Sequence, residues 1–335
     1  MKQKAKTIIK RQTLYVLLTI LSVLVITFAV SFWICTRTIK AETHARYVGI
    51  MNVASEKIAK TVRGMEMNAM NEFDEVEKHL DSPESVIAAL ESKTSLNPEV
   101  RGYFAAFEPD YFPHKGTWFE PYVVHVDSSA FEVRQVGSAR HNYHKSDWYI
   151  RAKKSNESFW SDPYYYYDGT NISGHYTTFV KPVYDKTGRL ACICGADMTF
   201  EWLTKELQRI DEENKKNDLL NKFLMYDTDF YTVVINSDGS CIAHPEKNSV
   251  PMTEEFLKRD LEQGKSGVVD MEVNGEQATV YYRPIEHVNW SVAVVTKQDI
   301  QEPLIKLGII FLLLTIIALV IVGLVCRRIG NVEKV

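Results

Sequence analysis

Residues 143–197, YHKSDWYIRAKKSNESFWSDPYYYYDGTNISGHYTTFVKPVYDKTGRLACICGAD, hold the ordered set on which the reading of the chain turns. Asp147-Trp148-Tyr149 opens a helical segment that runs to about Lys154, with Asp147 placed to cap it. Trp160-Ser161-Asp162-Pro163-Tyr164 reads as a turn. A polar, aromatic run leads on to Tyr176, and the apolar run Leu190 to Gly195 ends at Asp197. Large rings with polar tips can wall a small ligand, and one carboxylate at a strand end can fix its charged group. The candidate ligand-binding residues are therefore Tyr143, Trp148, Tyr149, Tyr164, Tyr166 and Asp197. Each fits an ordinary core position when taken alone, and only the order of the set points to a site.

Working outward, the pattern on both sides is that of short strands. Tyr103–Phe107, Tyr122–Val126 and Phe131–Val136 are aromatic or β-branched runs divided by Pro, Gly, Asp and Ser. Thr177–Tyr184 and Leu190–Asp197 flank Asp185-Lys186-Thr187-Gly188, a hairpin turn with glycine where positive φ is needed. Phe200–Leu207 is a helix leaving this lobe, and Asp211–Asn217 reads as a solvated extension or linker. A second unit follows. Its strands are Tyr231–Asn236, Cys241–Ala243, Gly267–Val273, Ala278–Tyr282 and Trp290–Thr296, with a helix at Glu254–Gln263 and a hairpin signal at Asn274-Gly275.

Before the first strand, Thr38–Leu80 contains no proline. It repeats apolar residues in steps of three and four at Met51, Ala54, Ile58, Val62, Met65, Ala69, Phe73, Val76 and Leu80. That is a stalk helix of about 60 Å. Its membrane-near seam, from Met51 through Met65, is expected to meet a second copy of the chain, and its far half to cover its own lobes. Ser82-Pro83 starts a shorter helix, which Asn97-Pro98 ends.

Composition is that of a globular protein, at 45% hydrophobic and 24% charged residues, so the decisive feature is local. Gln12–Thr36 and Leu307–Cys326 carry no charge, and each can cross a hydrocarbon core of about 30 Å as a helix. The first is too long in its apolar part for a cleaved leader. Lys2, Lys4, Lys6, Lys10 and Arg11 precede it, and Arg327 and Arg328 follow the second. Both termini are thus expected in the cytoplasm of a plasma-membrane protein, with residues 37–306 outside. A net charge of −4 without a basic stripe excludes nucleic acid as a partner. Cys192, Cys194 and Cys241 are read as small buried residues without a bridge, since Cys-x-Cys lacking a second ligand pair is poor metal spacing. Phosphate loops, zinc-protease signatures and nucleophile elbows are missing, so the reading is of no enzyme, no metal and no cofactor within residues 1–335.

Asp147-Trp148-Tyr149, the Trp160–Tyr164 turn, the run Lys181-Pro182-Val183-Tyr184-Asp185-Lys186-Thr187-Gly188-Arg189-Leu190 and Gly195-Ala196-Asp197 together resemble the membrane-distal module of a double Cache sensor. Asp238-Gly239 followed by His244-Pro245 resembles its membrane-proximal module. Phe107-Glu108-Pro109 and Trp118-Phe119-Glu120-Pro121-Tyr122 also resemble sensors that feed SpoIIE-type serine phosphatases. The resemblance implies an α+β fold: a long N-terminal stalk helix with two stacked PAS-like (Cache) lobes on antiparallel sheets, flanked by two transmembrane helices. The corresponding divisions are a cytoplasmic N-terminus (1–12), a first span (13–36), the stalk (37–80), a membrane-distal lobe (81–210), a membrane-proximal lobe (211–302), a second span (304–326) and the start of a HAMP-type relay (327–335). It implies a transmembrane receptor that binds a small molecule in the distal lobe and signals, as a homodimer, to a phosphatase, histidine kinase or chemotaxis-type output. The alternative is a sensor of envelope state or of a partner protein, with no small ligand. Amino-acid-binding members hold the ligand carboxylate with an Arg two residues before the Trp and its ammonium with the later Asp. The matching positions here are Ser146 and Asp197, which implies an amine-bearing or neutral ligand. Arg140, Lys145 or Arg151 are the candidates for a displaced cation.

Overall fold

The structure, a computed structural model, describes residues 2–92, 100–126, 130–166, 174–216, 230–244, 255–297 and 301–332. In chain order the helices and strands are α1 (Lys2–Lys78), α2 (Pro83–Glu91), β1 (Val100–Phe107), β2 (Pro121–His125), β3 (Phe131–Gln135), α3 (Asp147–Ser155), β4 (Phe159–Trp160), β5 (Tyr164–Tyr166), β6 (Gly174–Tyr184), β7 (Leu190–Thr199), α4 (Glu201–Lys216), β8 (Phe230–Asn236), β9 (Cys241–Ala243), α5 (Glu255–Glu262), β10 (Gly267–Val273), β11 (Glu276–Pro284), β12 (Trp290–Lys297) and α6 (Gln301–Val332). This is the α+β class expected. The chain divides into two compact units, one of residues 50–216 and 230–295, the other holding the rest.

The larger unit contains two sheets. Among the described residues, the first has seven strands in the order β3-β2-β1-β7-β6-β4, with β5 also paired to β6. The second has five, in the order β10-β11-β12-β8-β9. Side chains alternate across a strand, so each strand of the first sheet feeds two different environments. Tyr103 and Phe179 point to α1, where the Phe73 ring stacks on Phe179 at 6.3 Å and meets Tyr103 edge-on at 6.4 Å. Phe104, Ala106, Tyr122, Val124, Val180 and Ile193 point the other way and pack with Tyr143, Tyr149 and Ala152. That second face carries the candidate site.

The α1 seam corrects one expectation. Met51, Ala54, Ile58, Val62, Met65, Ala69, Phe73 and Val76 are all buried by their own chain. Ser55 donates to the Pro284 carbonyl at 3.1 Å, and Arg283 donates to Asn52 at 2.7 Å, so the second lobe covers the part of the seam that a second copy was expected to cover. The residues left exposed there are Val53, Glu56, Lys60 and Arg63, the first three on the opposite side.

Local signals explain several element ends. Ser82 accepts from the Ser85 amide at 3.1 Å with Pro83 at the first helical position, which is how a helix start satisfies its orphan N–H groups. Asp185 Oδ1 accepts from the Thr187 and Arg189 amides, and Gly188 has φ +81°, which closes the β6–β7 turn. Asn274 and Gly275 have φ of 55° and 80°, and Val273 pairs with Glu276, as a two-residue type I′ hairpin requires.

Three local readings are overturned. Asp147 lies inside α3, whose cap position is held by Ser146 without a side-chain bond. The stretch read as a solvated extension or linker is an extension of α4 to Lys216, but it is not solvated throughout: Asp211 is buried and accepts from the Thr232 amide and hydroxyl at 3.0 and 2.6 Å. Cys241 is only partly buried, whereas Cys192 and Cys194 are buried thiols as expected. Asn97-Pro98, Pro245 and Asn217 lie outside the described residues.

In the smaller unit, α1 and α6 each carry a stretch long and apolar enough to cross a membrane. Phe311 of α6 packs edge-on against Phe28 and Phe32 of α1, with ring centroids 5.9 and 6.0 Å apart.

Candidate ligand-binding site

The site face of the first sheet is shaped by one missing side chain. Phe104 pairs across β1–β7 with Gly195, and a Cβ there would stand 2.1 Å from the Phe104 ring. The ring therefore lies over the bare strand, and its outer edge meets Trp148 of α3 at 5.2 Å. Between this floor, α3 and the β4–β5 segment opens a cavity of about 910 Å³. Phe104, Tyr122, Trp148, Phe159, Tyr164 and Tyr166 wall it, with Asp197 and Glu120 as its deep carboxylates. Its size and its balance of aromatic walls with few polar groups are those of a small-molecule site.

Asp197 sits two residues past Gly195, on the same face. Thr178, its partner across β6–β7, donates to Oδ1 at 2.6 Å, and the Tyr164 hydroxyl donates to the same oxygen at 3.3 Å. The Tyr164 and Thr178 hydroxyls lie 2.7 Å apart, so with the Thr178 proton on Asp197 the single Tyr164 proton is shared between Thr178 and Oδ1. Both bonds fall on Oδ1, which leaves Oδ2 with acceptor capacity toward the cavity. Burial pushes the carboxyl up to about 6, and the donated bonds only partly offset it. The buried Tyr122 hydroxyl faces this carboxylate without closing a hydrogen bond of good geometry, and it is pushed well up by burial and by the Asp197 charge.

Four of the six residues expected in the site come together here: Trp148, Tyr164, Tyr166 and Asp197. Tyr143 and Tyr149 do not. Tyr143 is fully buried and donates to the Phe107 carbonyl at 2.7 Å, and Tyr149 donates to Glu108 at 2.7 Å, so both rings brace α3 from behind. Lys153 completes that brace with two bonds of 2.8 Å to Glu108. Ser146 lines the cavity with its small hydroxyl. Of the three cations named for a displaced anchor, Arg151 lines the cavity and lies over the Phe159 ring at 3.9 Å; Arg140 and Lys145 are not among its lining residues. Glu120, Tyr122, His141 and Phe104 were not anticipated. Alternation along β2 would have placed Glu120, Tyr122 and Val124 on one face, but not which face.

Residues 86–205 match the family model for the methyl-accepting chemotaxis protein-like, first PDC sensor domain. No curated protein matches the chain in sequence. The fold is similar to the extracellular domain of the histidine kinase mmHK1S-Z3, at 19% identity and a TM-score of 0.61 over 78% of this chain and 97% of that one. It is also similar to the ligand-binding domain of the Pseudomonas aeruginosa PAO1 amino acid chemoreceptor PctC, solved with GABA (16% identity, TM-score 0.50, covering 75% and 98%). A third similar structure is the ligand-binding domain of the Pseudomonas fluorescens chemoreceptor CtaA with L-isoleucine (18% identity, TM-score 0.51, covering 78% and 95%). Residues 86–205 thus form an MCP-like first PDC sensor module on the first sheet, a second sheet follows it, apolar helices of spanning length lie on either side in sequence, and the fold over most of the chain is that of double Cache sensor domains.

Proposed function

We propose that the chain is a transmembrane receptor whose first lobe, the membrane-distal one, binds an amine-bearing small molecule, with the ammonium held on Asp197. The observation that carries this reading is the buried carboxylate at the foot of an aromatic cavity, with its Oδ1 oriented by Thr178 and Tyr164. A cation among Trp148, Tyr164 and Tyr122 gains from the ring faces as well as from the charge. PctC and CtaA, solved with GABA and L-isoleucine, support it, because both ligands carry an ammonium. Ser146 in place of a guanidinium removes the fork that would hold a carboxylate, so the ligand need not be a standard amino acid.

Both termini lie in the cytoplasm on this reading, and the chain signals as a homodimer to an output domain of phosphatase, kinase or chemotaxis type. Closure on the ligand biases the receptor by the difference in its affinity for two arrangements, and by no more than that. The test is a thermal-shift screen of the full chain in detergent against amines, amino acids, organic acids and nucleobases. Saturable stabilisation by amine-bearing compounds is expected, growing with concentration as mass action requires. Stabilisation by organic acids alone, or no response across the panel, would overturn the reading.

A further inference from the structure

Glu120 is a second buried carboxylate of this cavity, which an ammonium on Asp197 does not reach. It is 3% exposed and stands immediately before β2. Its backbone is fixed by the Gln135 side chain, at 3.3 Å, and by the Val136 amide, at 3.1 Å. Its side chain is not fixed in this way: Oε2 is buried and has no hydrogen-bond partner. The His141 Nε2 lies 3.5 Å from Oε2, beyond a short hydrogen bond, and that ring is turned edge-on to Tyr166. The neighbouring Tyr122 hydroxyl is likewise buried, and it faces Asp197 rather than Glu120. A buried carboxylate oxygen lining the cavity thus lacks a hydrogen-bond donor from the protein, which is destabilising unless something else supplies the donor.

The sheet register places this group relative to Asp197. Asp197 pairs with Gly102 and Gly102 with Val124, so Asp197 and Val124 share a row two strands, or about 10 Å, apart. Glu120 lies four residues back from Val124 on the same face, about 13 Å along the strand. The two carboxylates therefore occupy opposite ends of the aromatic floor made by Tyr122 and Phe104. They still feel each other, since burial and then the Asp197 charge push the Glu120 carboxyl well up.

We propose that Glu120 is a second cation-binding point and that the ligand class is a linear diamine, with one ammonium on Asp197, the other on Glu120, and the methylene chain lying over Tyr122 and Phe104. The proposal rests on the amine reading of Asp197 given above. Calorimetry on the full chain in nanodiscs, with cadaverine and pentylamine as probes of equal chain length, separates the two. At least tenfold tighter binding of cadaverine is expected, and Glu120→Gln brings it down to the level of pentylamine. Equal affinity in the unaltered chain, or a cadaverine preference that survives Glu120→Gln, overturns the diamine and leaves the amine reading standing. Failure of both amines to bind overturns both. A measurement needing no variant guards against misfolding: in two buffers of different ionisation enthalpy near pH 6.5, cadaverine must release more protons than pentylamine. Equal release overturns the proposal.

Discussion

Replacing Asp197 with Asn should make the unliganded protein more stable at neutral pH. Burial raises the carboxyl to about 6 in the folded chain, against about 3.9 when unfolded. The folded state therefore holds this proton more tightly than the unfolded one. The favourable contribution is complete below about pH 4 and is lost as pH rises through about 6. At 1.36 kcal/mol per unit, the ionised form costs the folded state about 3 kcal/mol at pH 7. Asn keeps an oxygen that can accept from Thr178 and Tyr164 and removes the charge, so about 1–3 kcal/mol should be recovered. In a domain of this size that is a rise in melting temperature of roughly 3–10 °C. The assay is thermal denaturation of the unliganded full chain and of Asp197→Asn at pH 7.5 and pH 4.5. Asp211, also pushed up to about 6, titrates alike in both proteins and cancels from the difference. The gain should be full at pH 7.5 and about a third as large at pH 4.5, where the unfolded carboxyl is still mostly ionised. A destabilised variant at pH 7.5, or an effect of equal size at both pH values, would refute the reasoning.

Further expectations follow from other contacts. Gly195→Val should abolish ligand-induced stabilisation, because its Cβ must displace the Phe104 ring and with it Trp148; retained binding in the thermal-shift assay would show that the floor is not where the ligand lies. Trp160→Phe removes the 2.8 Å bond to Glu66, whose other oxygen lies 3.2 Å from His287 between the two lobes. It should cost about 1–3 kcal/mol in chemical denaturation, and an unchanged midpoint would contradict that. Single cysteines at Val53, Glu56 and Lys60, in a variant without the native thiols, should cross-link between copies on oxidation in membranes, while cysteines at Met51 and Ile58 should not. The reverse pattern would restore the apolar seam as the dimer contact.

Legibility followed the range of each interaction. The α1 pattern, the Ser82-Pro83 start, the Asn274-Gly275 turn and the long strands were readable because their causes lie within a few residues. Asp197 was readable for a related reason, since an apolar run stops just before it, although the strand does not end there: β7 continues to Thr199 with Asp197 paired inside it. The partner of the α1 seam was not: Met51 and Ile58 are as apolar against β11 as they would be against a second copy, and only the tertiary contacts of Ser55 and Asn52 decide between them. The same holds within the site. Tyr143 and Tyr149 look like Tyr164 in sequence, but their hydroxyls are taken by Phe107 and Glu108 behind α3. Glu120 was missed because nothing local separates a buried carboxylate from a solvated one. The short strands β4 and β5 were hidden by a Ser-Asp-Pro sequence that reads as a turn; the segment instead runs on along β6, with Trp160 opposite Phe179 and Tyr164 opposite Tyr176.

The central claim is that the Asp197 charge holds the ligand's ammonium, and the pH dependence of binding tests it most directly. Calorimetric titration of the best amine from the screen, at pH 7 and pH 5, reads the fraction of Asp197 that is ionised. With a carboxyl near 6 that fraction falls about tenfold between the two, and affinity should fall with it. In Asp197→Asn, binding should be weaker by about a hundredfold at pH 7, as when a charge-assisted bond is lost from a buried site, and the residual affinity should lose this pH dependence. Affinity that is flat from pH 7 to pH 5 in the unaltered chain and undiminished in Asp197→Asn would contradict the account.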